Sequence, residues 1–511
     1  VGLNVAAHPV FTMSYIGVNA GMVIGVADDP GMHSSQNEQD SRNYAIAAKL
    51  LMLEPSDSAE CRDMTKLAYA LSEQFDTPVM LRLSTRIAHS RSIVDTTDRE
   101  DVPLKPYEKN QAKNIMLPAF ARPKHEFVEK RTAAERAWAE TCSLNFVEDN
   151  GAKTGVIVAG SVYKYAKEAL GDTVNYLKLG VVNPLPVEKI RSFAAGLETV
   201  YVIEELDDII ESHCKKIGVP VVGKDVFPRC GEFSQKLIAE KLGIQRGESV
   251  SLEEDIPVRP PVMCCGCPHR GLFYALKREG VYVSGDIGCY TLGAVAPYGA
   301  CHTVIDMGAS LSMAHGMELA GAPERTGRPV VGVIGDSTFA HSGITSMLGT
   351  IYNGGTGTLC ILDNRTTAMT GTQGNPVNGV TLTDSSHKIG PLDNPSGKAL
   401  DLLALCRAMG VEDVAEVDAQ DLQAVRSALR AAVANTEQLS VIVFKAPCRL
   451  IDRSRGKEPT IRNCRACGQC VKIGCPALGR AKDGTAVIDP TQCVGCDQCV
   501  QSCPFGCITK E

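Results

Sequence analysis

The sequence predicts an α/β protein built on doubly wound parallel sheets, with a small cysteine-rich domain at its carboxyl end. Three observations carry that expectation. Apolar runs of strand length alternate with helix-spaced stretches through most of the chain. The stretch Arg328 to Gly371 reads as a single strand, helix, strand unit. Nine of the 21 cysteines fall between Cys464 and Cys507.

Composition bounds the rest. At 511 residues the chain has room for about three or four domains. Its 44% hydrophobic and 22% charged residues are those of a globular chain, and no apolar run approaches the roughly 18 to 20 residues that span a bilayer. A net charge of −7 without a basic stripe argues against nucleic acid as a partner. So many cysteines in a long chain without a secretory leader fit metal clusters in a reducing cytoplasm better than disulfides. The chain enters folded structure directly at Val1, which implies a missing amino-terminal part.

Residues 1–150 read as an α/β region followed by a connection. Met22 to Ala27 is a strand ending at Asp28-Asp29-Pro30-Gly31, Ser56 to Phe75 a helix, and Pro78 to Leu83 a strand. Between them His33 to Ala45 is too polar for core, and reads as a solvated loop or one facing a substrate or cofactor. The charged, proline-containing stretch from 91 to 150 is a long connection with some helix, and its Trp138 is assigned to packing.

Residues 151–257 form a second α/β region, with strands at Gly155 to Ala159, Tyr176 to Val182 and Thr199 to Ile203. Residues 258–452 form the third. There Val330 to Ile334 breaks at Gly335-Asp336-Ser337, and Leu359 to Leu362 breaks at Asp363-Asn364, with Ile344, Met347, Leu348 and Ile351 at helical spacing between them. Two parallel strands joined by a right-handed crossover end at the same sheet edge, which brings Asp336 and Asn364 together where open α/β sheets hold ligands. A carboxylate and an amide oxygen there suit a hard cation such as Mg²⁺ that bridges phosphates. An ordinary βαβ unit whose Asp caps a helix also explains Gly-Asp taken alone. Upstream, Met307-Gly308-Ala309-Ser310 opens a helix whose first N–H groups would suit a diphosphate. The region closes with helices from Leu400 to Met409 and Ala419 to Ala434 and a strand from Ser440 to Lys445.

Residues 453–511 hold two cysteine runs: Cys464-x2-Cys467-x2-Cys470-x4-Cys475-Pro476 and Cys493-x2-Cys496-x2-Cys499-x3-Cys503-Pro504. Such a pair is the two-cluster ferredoxin pattern, in which the fourth cysteine of each run binds the other run's cluster. Cys464, Cys467, Cys470 and Cys503 would hold one [4Fe–4S] cluster, and Cys475, Cys493, Cys496 and Cys499 the second. The x4 gap before Cys475 is one residue longer than usual. Cys507 is left unassigned.

Gly335-Asp336-Ser337 with Asp363-Asn364 resembles the Gly-Asp-Gly and Asn-Asn motif of thiamine-diphosphate enzymes. That resemblance implies Asp336, Asn364 and the Thr366 carbonyl as Mg²⁺ ligands, with Gly335, Ser337 and Thr338 beside the diphosphate. Cys264-Cys265-Gly266-Cys267-Pro268-His269 is similar to the Cys-Pro-Gly-Cys-x-His stretch of 2-oxoacid:ferredoxin oxidoreductases, which lies at the cofactor's reacting end. Cys265 stands where Pro is usual. By spacing alone, Cys264 and Cys267 could equally be half a zinc site or a redox pair. The cofactor-contact set the resemblance implies is completed by Cys264, Cys267, His269, Gly288, Cys289, Gly308 and Ser310.

Together with DDPGMHSSQNEQDSR, GDIGCYTLG and DNRTTAMTG, these motifs resemble the large subunits of the indolepyruvate:ferredoxin oxidoreductase family over nearly the whole chain. The resemblance implies that 1–150 is the remainder of a pyrimidine-side thiamine-diphosphate domain plus a connection. It makes 151–257 a domain like the carboxy-terminal one of transketolase, 258–452 the diphosphate- and Mg²⁺-binding domain, and 453–511 the ferredoxin-like domain. It further implies oxidative decarboxylation of an aryl pyruvate with coenzyme A to the acyl-CoA, ferredoxin as electron acceptor, and a smaller beta subunit in a hetero-oligomer. A pyruvate or 2-oxoglutarate enzyme, or an electron-transfer subunit with impaired catalysis, are the alternatives. The family's activating Glu has no match here, so the 511 residues alone are expected to bind the cofactor weakly or to be inactive.

Overall fold

The computed structural model describes residues 2–99, 101–103, 105–244, 254–257, 260–381 and 397–510, and divides into two compact units, 1–253 and 254–511. The expected boundary between 257 and 258 touches residues outside the described set.

The first unit contains two four-stranded sheets. In one, β1 (Val23–Asp28), β3 (Val79–Ser84), β2 (Met52–Leu53) and β7 (Val181–Asn183) lie in the order β1-β3-β2-β7. β1 runs parallel to β3 with Val23 opposite Val79, whereas β7 runs antiparallel to β2. In the other, β4 (Phe146–Glu148), β6 (Asn175–Leu179), β5 (Thr154–Ala159) and β8 (Thr199–Ile203) lie in the order β4-β6-β5-β8. The single strand expected over Tyr176 to Val182 is therefore two strands in different sheets. The break falls at Gly180, whose N–H donates to the Leu144 carbonyl and the Asn145 side chain and whose carbonyl accepts from Glu54 N–H, leaving neither group for a ladder.

The loop expected to be too polar for core is buried at its end, and charge pairing is the reason. Arg42, 1% exposed, donates to Asp40, to Glu204 at 2.6 Å and to the Glu205 and Asp207 carbonyls. Arg82, also buried, pairs with Asp28 and Glu54, each at 2.7 Å. Buried charges persist only when partnered in this way.

The charged connection contains one long helix, Pro118–Thr141, which starts on Pro118 where a missing N–H costs nothing. Val128, Arg131, Glu135 and Ala139 face inward. Arg131 donates to the Ser14 and Lys49 carbonyls, while Glu135, 3.5 Å from Arg131, is fully buried with neither oxygen hydrogen-bonded. Trp138 packs edge-on against Phe75 at 6.2 Å, in line with a packing role.

The second unit is organised by a six-stranded, wholly parallel sheet. β9 (Tyr282–Gly285), β10 (Thr303–Val304), β11 (Val330–Gly335), β12 (Thr358–Asp363), β13 (Asp413–Asp418) and β14 (Ser440–Lys445) take the order β10-β9-β11-β12-β14-β13. Alternation along β12 and β14 sends Leu359, Ile361, Val441 and Val443 into one core, and Cys360, Leu362, Ile442 and Phe444 into the other. Helices cover both faces: Met347 and Leu402 pack on the first side, Phe273, Val425 and Leu429 on the second. The winding reverses between β9 and β11, so the carboxyl ends of those strands form the crevice of a doubly wound sheet.

The cysteine-rich tail adds two short antiparallel ladders, Leu478–Arg480 with Ala486–Ile488 and Thr460–Ile461 with Ile508–Thr509. Its Ile473, Leu478 and Ile508 pack on Tyr274 and Leu422 of the larger domain. No helix among the described residues is long and apolar enough to cross a membrane.

Burial pushes the Glu135 carboxyl up to about 7 against the pull of Arg131. A raised folded-state value favours folding below the unfolded value and loses that contribution as pH climbs through about 7. Glu135→Gln is therefore expected to be near neutral at pH 4, where the carboxyl is protonated in both states, and to stabilise the first unit by on the order of 3 kcal/mol at pH 8. Urea titration of the full chain followed by Trp138 fluorescence checks this, and an equal effect at both pH values would contradict it.

Candidate active site

Three consecutive neighbours in the sheet end in acidic residues: β9 runs into Asp286, β11 into Asp336, and β12 into Asp363 and Asn364. Because Gly335 is opposite Leu362, Asp336 and Asp363 stand side by side. The cleft above them is lined by His269, Gly288, Cys289, Asp336, Asn364 and Thr366, together with Gly335, Ser337 and Thr338. The two residues expected to share a cation are thus brought to one cleft.

Asp336 is 2% exposed; its Oδ1 accepts from Ser337 N–H at 2.7 Å, and its Oδ2 is buried with no hydrogen-bond partner. Burial first, and then the charge of Asp363, push its carboxyl well above the usual range, and burial raises Asp363 as well. Two abutting buried carboxyls with an orphaned oxygen fit a divalent cation, because its charge compensates both. No three His, Cys, Asp or Glu side chains among the described residues form a ready single-ion site. The remaining donors must then be amide, main-chain and water oxygens, a set that suits Mg²⁺.

Asn364 is oriented from two sides. Its Oδ1 accepts from Thr366 N–H at 3.2 Å, so its Nδ2 faces His269 Nε2, also at 3.2 Å. His269 accepts there and is neutral, since burial lowers its value to about 4. Its ring stands edge-on to Tyr290 at 5.9 Å, and the Tyr290 hydroxyl donates to the Ile287 carbonyl at 2.7 Å. After Asp336 the helix passes through a π turn, Phe339–Gly343, before the regular helix Ile344–Tyr352, an irregularity that often accompanies functional sites.

Gly308 and Ser310 correct an expectation. Both their N–H groups, read from sequence as free diphosphate donors, are engaged by the buried carboxylate of Asp286, at 2.9 and 3.0 Å, and neither residue lines the cleft. Gly308 has φ +92°, and a Cβ there would overlap Ser342, so its glycine serves backbone conformation and helix packing. Nothing local in the sequence marks Asp286 for this role; only the three-dimensional approach of the next helix gives it a partner.

Cys264 and Cys267 do not line the cleft themselves. Both are within electrostatic range of Cys289, and Cys264 also of Cys448, which in turn is within range of Asp336. Burial keeps Cys267 and Cys289 as thiols, at about 12 and about 11.

In the tail the chain crossover pairs the two cysteine runs. Cys470 has Cys503, Cys464 and Cys467 as its charged neighbours, and Cys499 has Cys496, Cys475 and Cys493. The second four line one hollow, and Cys475 joins them despite the longer gap. Backbone N–H groups of Ala486 and Cys507 donate to Cys464 and Cys503 at 3.3 Å, contacts of the kind that tune a cluster's potential. Cys507 lies beside Cys503 and Cys464, and its thiol donates to the Asn463 carbonyl at 3.2 Å.

Comparison with known proteins gives the family. Residues 286–444 match the thiamine pyrophosphate enzyme C-terminal TPP-binding domain. Residues 17–146 match the thiamine-diphosphate-binding domain of pyruvate flavodoxin/ferredoxin oxidoreductases, and 486–509 a 4Fe–4S binding domain. Indolepyruvate oxidoreductase subunit IorA of Pyrococcus horikoshii is 36% identical over all of this chain and 85% of its own length, and that of Methanothermobacter marburgensis likewise. The subunit from Archaeoglobus fulgidus is 36% identical over 99% of this chain and 84% of its own. Among solved structures, a 2-oxoglutarate:ferredoxin oxidoreductase from Magnetococcus marinus aligns with TM-score 0.30 and 19% identity over 37% of this chain and 65% of that one. The chain belongs to the indolepyruvate oxidoreductase IorA family of 2-oxoacid:ferredoxin oxidoreductases, with a thiamine-diphosphate-binding domain and a 4Fe–4S domain on one polypeptide.

Proposed function

We propose that this chain is the thiamine-diphosphate- and cluster-bearing subunit of an enzyme that converts an aryl pyruvate and coenzyme A to the aryl-acetyl-CoA and CO₂. The two electrons released pass through two [4Fe–4S] clusters to ferredoxin, and a smaller beta subunit completes the assembly. The observation that carries the reading is the orphaned, buried Asp336 Oδ2 beside Asp363 and Asn364, on the same chain as two four-thiol sets. The relatives' shared name supports the aryl substrate and the partner subunit.

Thiamine diphosphate, when bound, supplies the electron sink that loss of CO₂ from a 2-oxoacid needs. The chain's own residues do the rest. Asp336, Asn364 and the Thr366 carbonyl would hold Mg²⁺, with Gly335, Ser337 and Thr338 beside the diphosphate. His269 acts one step out: by accepting from Asn364 Nδ2, its neutral ring keeps Oδ1 turned away from itself. Gly288 and Cys289 line the same cleft, while Cys264 and Cys267 sit in the loop before the helix His269–Glu279, within electrostatic range of Cys289. Clusters held by the two four-thiol sets would supply one-electron steps between a two-electron oxidation and a one-electron carrier.

Two outcomes follow. Asp336→Asn leaves the apo fold at least as stable, because it removes one of two abutting carboxyls, but weakens Mg²⁺-dependent thiamine diphosphate binding by more than about 100-fold. His269→Leu, acting through Asn364, costs about 10- to 100-fold. Calorimetric titration with and without chelator measures both, and unaltered affinity in Asp336→Asn would sink the site. With the partner subunit present, dye reduction is expected to be fastest with an aryl pyruvate; faster turnover of pyruvate or 2-oxoglutarate would overturn the substrate assignment.

A further inference from the structure

The loop Met263–Cys267 reaches past the cofactor cleft to the second four-thiol set. Cys265 lines the same hollow as Cys475, Cys493, Cys496 and Cys499, so five thiols surround a space whose ligand needs four. Its Sγ accepts from the Ala477 N–H, within the Cys475-Pro476-Ala477 turn, and approaches Gln492 Oε1 at 3.9 Å.

This placement is held firmly. The fully buried Arg270 guanidinium donates to the Met263 and Cys264 carbonyls at 2.8 and 2.6 Å, and on its other arm to the carbonyls of Ile473 and Gly474, immediately before Cys475. One cation therefore binds the loop carrying Cys265 to the segment carrying Cys475. Gln498 and Gln420 donate to the Cys267 and Gly266 carbonyls at 3.3 and 3.2 Å. Gly266 has φ +70°, and a Cβ there would overlap Val494, so the loop lies against the hollow with no side chain between.

Resting on the two-cluster reading above, we propose that Cys265 is a fifth thiol of the second cluster site, able to take the iron that Cys475 holds. In the exchange the iron–sulfur bond to Cys475 breaks and one to Cys265 forms, and the Cys265 proton passes to the departing Cys475 sulfur. No electron is gained or lost. The one-residue-longer gap before Cys475 sets that ligand apart from the other three in the pattern. Cys265, on its separate Arg270-clamped loop, is independent of that gap.

The test is made on the anaerobically purified full chain, by iron analysis and EPR. Wild type should hold about eight irons in these two sites, two clusters of four; the absence of a second cluster in wild type would instead overturn the two-cluster reading itself. Cys475→Ala, and Cys475→Ser as a variant of similar size, should keep the second [4Fe–4S] cluster with an altered EPR line shape. Cys475→Ala with Cys265→Ala should lose that cluster, or convert it to a [3Fe–4S] signal with about one iron fewer, while the first cluster's signal persists. Loss of the second cluster from both single Cys475 variants, with or without the first, contradicts the proposal, as does an intact four-iron cluster in the double variant.

Discussion

Two buried carboxyl groups set against each other at neighbouring strand ends govern the second unit. Asp336 and Asp363 are forced together by the parallel register of β11 and β12, and burial makes their charges costly unless a cation shares them. A sheet optimised for stability alone would not retain this pair. Their neighbour Asp286 shows the contrast: the same residue type, one strand over, is satisfied by the amides of Gly308 and Ser310 and closes its helix start instead of opening it. Of the three acidic strand ends, Asp286 is satisfied by main-chain amides, Asp363 accepts from Arg365 N–H at 3.1 Å, and Asp336 keeps a buried oxygen without a hydrogen bond.

The loop that carries Cys264 to His269 joins that cleft to the tail. His269 faces the cofactor side through Asn364, and Arg270, the next residue, turns to the segment before Cys475. Adjacent residues at the start of one helix therefore touch the cleft on one side and the segment before Cys475 on the other. Packing of Ile473 and Leu478 on Tyr274 and Leu422 supplies the apolar part of the same attachment.

Much of this was legible in the sequence where the signal is local. The strand Ser440–Lys445 falls where it was read, and the turns after β11 and β12 announce their Asp and Asn by breaking apolar runs. The cysteine crossover followed from spacing, and the structure groups Cys470 with Cys503 and Cys499 with Cys475. What could not be read depends on partners distant in sequence. The polar loop ending at Arg42 is buried because Glu204, 162 positions away, pairs with it. Tyr176 to Val182 reads as one strand because nothing local reveals that Gly180 is claimed by Asn145 and Glu54. Gly308 looked like an open anion site because its occupant, Asp286, lies 22 positions upstream. Cys448 carried no spacing signal at all.

The central claim is that Asp336 and its neighbours tether a diphosphate through a divalent cation. Substituting Mn²⁺ for Mg²⁺ and recording its ENDOR spectrum with thiamine diphosphate added tests this most directly. Phosphorus hyperfine coupling on protein-bound Mn²⁺, lost in Asp336→Asn, is the result this account predicts. A Mn²⁺ spectrum unchanged from the free aquo ion, or phosphorus coupling that survives loss of the Asp336 carboxylate, would contradict it.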